Sequence, residues 1–179
     1  VFVADSIVLS AETAFAGLLK PAGATRHPGV TVREVTDPQI ATVIARGPIP
    51  SLFDGPKRTT RESTDYLGIG PGKWLAFGPV APDIAEGASV VDQSGGYGVL
   101  EISGRDAVAT LEKGIGIDLH PRSFAPDAVA VTTIAHMGVI LWRGEGDAWR
   151  LAVFRSNAAS FWHWLETSAA VFGMRIVAD

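Results

Sequence analysis

The stretch GVILWRGEGDAWRLAVFRSNAASFWHWL, residues 138–165, decides how the chain is read. GVILWR (138–143) and AWRLAVFR (148–155) are apolar and rich in Val, Ile, Trp and Phe, and GEGD separates them. Two such runs around a short Gly/Asp connection predict a β-hairpin. The period then changes. SNAASFWHWLETSAAVF (156–172) reads as a helix with Ser156 or Asn157 at its N-cap. At 100° per residue, Phe161, Trp164, Leu165, Ser168, Val171 and Phe172 share one broad face. Phe161 and Trp164 are read as core, and His163 lies nearly opposite. Trp162 lies about 100° from the centre of that face. It either closes the edge of the core or anchors a contact with a partner chain, a setting in which Trp is enriched.

A hairpin feeding a helix occurs a second time. DYLGIG (65–70) and KWLAFG (73–78) flank Pro71-Gly72, and a short helical piece follows at PDIAEG. In both copies the second strand carries a Trp. Working outward, VTVREV (30–35), ATVIAR (41–46), SVVDQS (89–94), YGVLEIS (97–103) and VAVTTIA (129–135) read as further strands. GRDAVATLEKG (104–114) reads as a helix closed by Gly114 at the C′ position. PIPSLFDGPKRTTREST (48–64) is polar and turn-rich, a surface excursion. The fold class that follows is α+β: two β-rich halves of mainly antiparallel strands with packed helices.

The first residues stand apart. SAETAFAGLLK (10–20) reads as a short amphipathic helix capped by Ser10, with Phe15, Leu18 and Leu19 as its apolar stripe. PAGATRHPG (21–29) separates it from the rest. The expected organisation is an arm over 1–29 and a single α+β domain over 30–179. A helix this short is marginal alone in water, so it must dock on its own domain or on another subunit. Asp5 and Glu12 interrupt the apolar opening residues and no basic residue precedes them, so a signal peptide is not expected.

Composition narrows the functional classes. Hydrophobic residues make up 47% of the chain and charged residues 19%, yet no run approaches the ~20 apolar residues of a membrane helix. The apolar surplus must enter a dense core or a buried interface. A net charge of −4 gives no support to a nucleic-acid partner. The absence of cysteine excludes disulfides and thiolate metal sites. His27, His120, His136 and His163 show no metal-ligand spacing. GIGPGKW (68–74) is no phosphate loop, because Leu67 stands at the first-glycine position and Trp74 at the magnesium-binding hydroxyl. SGGYG (94–98) precedes a strand where a dinucleotide fingerprint requires a helix. It is read as a bulge or tight connection.

GIDLHPRSF (116–124) brings Asp118, His120 and Arg122 close together, at first sight an acid, a base and an anion clamp. Pro121 biases His120 toward an extended conformation. In an extended run the three side chains would share one face as a polar strip. Such a strip suits contact as well as catalysis, so the segment is either a preformed contact loop or an internally braced turn.

The order of these pieces resembles the gamma subunits of heterotetrameric sarcosine oxidases. The resemblance rests on the GPGKWL hairpin, the SGRDA helix after D-x-S and a strand, the KG-x-x-x-DLHPRSF block, the LWR strand and the RS-x-A-x-x-x-W-x-WL helix, over about residues 30–167. The excursion at 48–64 and a short piece at 79–88 depart from the pattern. The resemblance implies a fold like the N-terminal folate-binding domain of aminomethyltransferases and YgfZ-type proteins. It implies a non-catalytic, scaffolding chain working with alpha, beta and delta subunits in a cytoplasmic flavoprotein complex. That complex would demethylate sarcosine oxidatively to glycine, sending the methyl carbon to tetrahydrofolate or formaldehyde and oxygen to hydrogen peroxide. FAD, FMN, NAD, tetrahydrofolate and zinc would all reside in the other subunits, with no catalytic, cofactor or metal residue on this chain. Phe15, Leu18, Leu19, His120, Arg122 and Trp162 would then be contact residues. Two alternatives stay open: a stand-alone folate-binding one-carbon-transfer protein with Asp92 over the pterin, and the equivalent subunit of a complex oxidising another N-methyl amine.

Overall fold

The computed structural model describes residues 12–20, 27–36 and 38–177. Two sheets form its centre. The larger has six strands: β1 (Val30–Glu34), β7 (Tyr97–Ser103), β8 (Val129–Ile134), β9 (Met137–Arg143), β10 (Trp149–Phe154) and β11 (Met174–Val177), in the order β11-β1-β7-β10-β9-β8. The smaller has five: β2 (Ile40–Ala45), β3 (Arg58–Arg61), β4 (Thr64–Gly70), β5 (Lys73–Phe77) and β6 (Ala88–Asp92), in the order β3-β4-β5-β2-β6. Among the described residues three α-helices complete the fold: α1 (Pro82–Glu86), α2 (Ala107–Leu111) and α3 (Ala158–Ala169).

The layers follow from where apolar side chains go. β7, β9 and β10 are buried over consecutive residues, not alternate ones, so both faces of the large sheet are covered. On one face Val32, Leu100, Leu141 and Leu151 pack with Leu111 of α2 and Phe161 and Leu165 of α3. On the other, Val99, Ile140, Trp142 and Ala152 meet Ile40, Leu67 and Leu75 of the small sheet. The far face of the small sheet, with Val43, Tyr66 and Trp74, is closed by Ile84 of α1. The result is four layers, helices–sheet–sheet–helix, and the apolar surplus of the sequence is consumed largely by three stacked cores. The sheets are stitched where residues 56–58 meet 127–129: Arg58 donates its N–H to the Asp127 carbonyl at 2.7 Å, and Val129 to that of Pro56 at 2.9 Å.

The echo seen in the sequence is an echo of topology. β3-β4-β5-β2 in the small sheet matches β8-β9-β10-β7 in the large one. Each half runs hairpin, helix, then a strand on the far side of the first: β6 beside β2, and β11 one place beyond β7. The difference is β1, which inserts between β7 and β11, antiparallel to the first and parallel to the second.

Several expectations change. SVVDQS and YGVLEIS are strands joined by the tight connection expected at Gly95 and Gly96, and that connection carries the chain from one sheet to the other. The 48–64 excursion contributes β3, paired with β4, and buries Leu52. The helix expected over 104–114 is regular only over Ala107–Leu111, and Gly114 is not its left-handed cap. Gly114 is there for close packing, because a Cβ on it would stand 2.7 Å from the Trp164 ring. The last helix buries Ala158, Phe161, Trp162, Leu165, Ser168 and Ala169, a face rotated from the expected one. Trp164 is half-buried and Val171 is 75% exposed. The reason is the tight 3-10 turn over Ala170–Phe172, which ends the 100° spacing on which Val171 was placed. β11, absent from the sequence reading, is only four residues long, too short to show a pattern.

Charge is placed in register on the large sheet. Arg33, Glu101 and Arg150 lie directly opposite one another on β1, β7 and β10. Glu101 accepts from Arg33 at 2.8 Å and from Arg150 at 2.9 Å. Burial raises the pKa of Glu101, but the hydrogen bonds from Arg33 and Arg150 outweigh this and hold it below the ordinary carboxylate value. A carboxylate whose pKa is depressed by folding stabilises the fold above its unfolded pKa and loses that contribution as pH falls through its folded pKa. Glu101→Gln should therefore cost about 1 kcal/mol at neutral pH. Urea melts should show the gap to the parent chain closing as pH drops below the carboxylate range.

Candidate functional site

The arm docks on its own chain. Residues 14–18 form turns where a helix was expected over 10–20, and the Ser10 cap lies outside the described residues. The Leu18 N–H reaches the Phe15 carbonyl at 3.0 Å, and Gly17 takes φ +72°. Phe15 is fully buried in the core beneath the helices, with Leu18 and Leu19 half-buried against it. Two side chains hold the backbone there. Glu34 accepts the Phe15 N–H on Oε1 at 3.2 Å and the Thr13 hydroxyl on Oε2 at 3.0 Å. Arg155 donates to the Glu12 carbonyl at 2.6 Å and to that of Thr13 at 3.3 Å. Gly98 of β7 makes the room: a Cβ there would stand 2.6 Å from both Ala14 and the Phe15 ring. A cleft of about 620 Å³ remains beside the arm, walled by Glu12, Gln39, Ser94, Tyr97 and Arg155.

Sequence reasoning passed over Glu34, Gly98 and Arg155. The signal for Glu34 was present. In VTVREV it follows Val30 and Val32 at the period of two, on the inward face, where a carboxylate must find donors. Gly98 and Arg155 carry no local pattern that foretells their role.

The 116–124 segment is a turn, not an extended strip. Leu119 (1% exposed) and Phe124 (6%) anchor it in the core, which leaves Asp118, His120 and Arg122 at the surface. Asp118 is turned onto the loop itself, accepting the His120 N–H at 2.8 Å and the Ser123 hydroxyl at 2.6 Å. The Ser123 hydroxyl and the His120 N–H lower its pKa. The His120 Nδ1 accepts the Arg122 N–H at 3.2 Å, and the His120 carbonyl accepts from Ser123 and Phe124. The first-sight acid and base are thus occupied in bracing a turn, and what projects freely from it is the Arg122 side chain and the outer edge of the His120 ring.

The remaining sequence candidates are placed as follows. Trp162 is 5% exposed and packs into the core beneath α3. Asp92 ends β6 and accepts the Ser94 N–H at 2.9 Å and the Ser94 hydroxyl at 2.7 Å, which lower its pKa. It is the strand-end turn residue that Asp commonly provides. Among the described residues no three His, Cys, Asp or Glu side chains come together to hold a metal. Exposed apolar side chains lie in two separate places: Ile44, Val90 and Val91 on β2 and β6 of the small sheet, and Val131 and Phe154 on the large one, where both line a shallow pocket with Tyr97. Tyr97 stacks on Phe154 at 5.0 Å.

These features define a two-sheet α+β chain that presents apolar strand surface and a braced polar loop, surfaces of the kind used in contact with other chains. The family described as sarcosine oxidase, gamma subunit, matches residues 84–171. The gamma subunit of sarcosine oxidase from Corynebacterium sp. (strain P-1) is 33% identical over 126 residues, 65% of this chain and 62% of that protein. The corresponding subunit from Arthrobacter sp. is 32% identical with the same coverage. The chain therefore spans about 62% of the length of these curated relatives. Among solved structures, a chain of the heterotetrameric sarcosine oxidase from Corynebacterium sp. U-96, in complex with pyrrole 2-carboxylate, superposes with a TM-score of 0.74 at 25% identity. That match covers 94% of this chain and 99% of the other. In sequence and in fold the chain is thus similar to gamma subunits of sarcosine oxidase.

The docking of the arm is testable. Phe15→Ala should destabilise the chain by about 3–5 kcal/mol in urea unfolding, as for a fully buried aromatic. Gly98→Val should displace residues 13–18 and speed hydrogen exchange at the Phe15 amide, which Glu34 holds in the parent chain.

Proposed function

We propose that the chain is the gamma subunit of a heterotetrameric oxidase that demethylates sarcosine to glycine, and that its own role is scaffolding. The observation that carries this reading is the fold match to a chain of a heterotetrameric sarcosine oxidase, which runs over nearly the whole of both chains. The matched family over residues 84–171, which include the braced loop and α3, supports it.

On this reading the alpha, beta and delta subunits hold FAD, FMN, NAD, tetrahydrofolate and zinc. The methyl carbon leaves as methylenetetrahydrofolate or formaldehyde, and oxygen leaves as hydrogen peroxide. Kinship with the folate-binding domain of aminomethyltransferases would explain a pair of similar β-rich halves. No helix among the described residues is long and apolar enough to cross a membrane, and the complex is proposed to work in the cytoplasm.

The contact role falls on residues whose side chains remain outward. His120 and Arg122 sit on a turn whose shape is fixed before any partner arrives, which lowers the ordering cost of binding. Leu18 and Leu19 present their outer edges beside the docked Phe15. Phe15 and Trp162, being buried, act by holding these surfaces in place.

Native mass spectrometry of the complex isolated from its source should show a species of four different chains with bound flavin. A chain that persists as a monomer in the extract overturns the reading. His120→Ala/Arg122→Ala should leave the isolated chain folded and reduce its incorporation into the four-chain species. Normal incorporation with poor turnover would move the loop from assembly to catalysis.

A further inference from the structure

Four glycines stand inside strands of the described structure: Gly68 and Gly70 in β4, Gly98 in β7 and Gly138 in β9. Glycine weakens a strand interior. It is found there where a bend, or the close approach of a ligand or another backbone, requires it. Two of the four are accounted for within the chain. A Cβ on Gly68 would overlap the Gly55 carbonyl, and one on Gly98 would meet Ala14 and the Phe15 ring. Gly70 and Gly138 are not. Among the described residues no atom lies within 4 Å of the Cβ position of either, and neither takes a left-handed φ.

Both open onto one groove. Gly138 shares its strand face with Ile140 and Trp142, the face turned toward the small sheet. It lines a cavity of about 210 Å³ with Tyr97, Val131, Ala152 and Phe154. Gly70 lines an adjoining hollow of about 410 Å³ with Pro56, Pro71 and Asp54. Ile69 and Val131 wall both, so the two run together between the margins of the sheets. Val131 is 60% exposed and Phe154 50%, so the walls are open to solvent.

The walls say what fits. Over Gly138 they are apolar, with no charged side chain and only the hydroxyls of Tyr97 and Thr132 as polar side-chain groups. A cavity of about 150 Å³ accepts a benzene ring, so this one suits a single Leu or Phe side chain. It is smaller than the ~300 Å³ at which small-molecule sites begin, and it lacks their convergent polar groups. The one charge on the walls is Asp54, at the far end. Its Oδ1 accepts the Gly72 N–H at 2.8 Å, which holds the carboxylate at that end.

We propose that this groove receives an extended segment of a partner subunit, with a Leu or Phe side chain seated on Gly138 and a Lys or Arg farther along it on Asp54. The inference rests on the reading of the chain as one subunit of a complex. Gly138 weakens its strand so that the anchor can reach the sheet. One anchor of this kind, ringed by near-neutral contacts, carries much of the energy of a wider interface.

Gly138→Val separates this role from a structural one. A β-branched residue suits a strand better than glycine, so the isolated variant should unfold at the same or a higher urea concentration than the parent. In competition with the parent chain for the partner subunits, it should enter the four-chain species at least ten-fold less. A variant that unfolds earlier assigns the glycine to the fold and overturns the proposal. Asp54→Asn keeps an acceptor for Gly72 and should lower incorporation more at low salt than at high. Incorporation unchanged by Asp54→Asn overturns the basic contact. Labelling gives a second measure, on a chain with no cysteine of its own. Val131→Cys should be alkylated at least ten-fold faster in the isolated chain than in the complex. Slow alkylation in the isolated chain gives the groove to a segment of this chain and overturns the proposal, and equally fast rates in both overturn it too. A parent chain found in no complex overturns the subunit reading, whereas a complex that forms equally well with Gly138→Val overturns this inference alone.

Discussion

β7, β9 and β10 carry apolar side chains on both faces, and covering both faces of this one sheet is the demand that organises the molecule. A sheet with a wet face would have needed one apolar layer. This one needs two, so α2 and α3 lie on one side and a whole second sheet on the other. The second sheet then has a far face of its own, with Trp74 and Tyr66, which α1 closes. Each layer exists because the layer inside it would otherwise face water, and burial of apolar area is the main favourable term available to do this.

Close packing between these layers is set by a few absent side chains. Gly98 admits Phe15, Gly114 admits Trp164, and Gly68 lets the 55–57 segment lie against β4, where a Cβ would overlap the Gly55 carbonyl. Two charged side chains drawn into this packing find partners on other elements, while the Trp142 Nε1 between the sheets is buried without one among the described residues. Glu34 is buried because the arm supplies its donors, and Lys113 reaches the Ser168 carbonyl at 2.6 Å while lying over the Phe172 ring at 4.6 Å. Arm, sheet and helix are therefore interdependent, and a change at Gly98 or Glu34 is felt first at residues 13–18.

How far the sequence spoke depends on the range of the interaction involved. The two hairpins were legible because turn chemistry and strand composition act within a dozen residues. α3 was legible as a helix, but Val171 and Phe172 were placed on its buried face because nothing local announces the 3-10 turn over Ala170–Phe172, and the burial of Trp162 in place of Trp164 is set by long-range packing such as the contact of Trp164 with Gly114. The sheet switch at Gly95-Gly96 was not legible, since nothing local says which strand β6 or β7 will pair with. The candidate site divides the same way. The turn character of GIDLHPRSF is local, yet the extended reading lost to hydrogen bonds accepted by Asp118 that the sequence permits but does not compel. The clasp on the arm joins residues 19 to 143 positions apart, beyond any pattern in the string.

The insertion of β1 between β7 and β11 has a consequence in time. The small sheet can assemble from residues 40–92 alone, because β2 through β6 are consecutive in the chain. β1 is made before all of them, yet its two neighbours are the strand that follows the small sheet and the last strand of the fold. During synthesis this first strand must wait beside a finished half while the second is still being added. Such long-range pairing slows folding relative to local contacts. It also exposes VTVRE, during that interval, to any chain that offers it an edge.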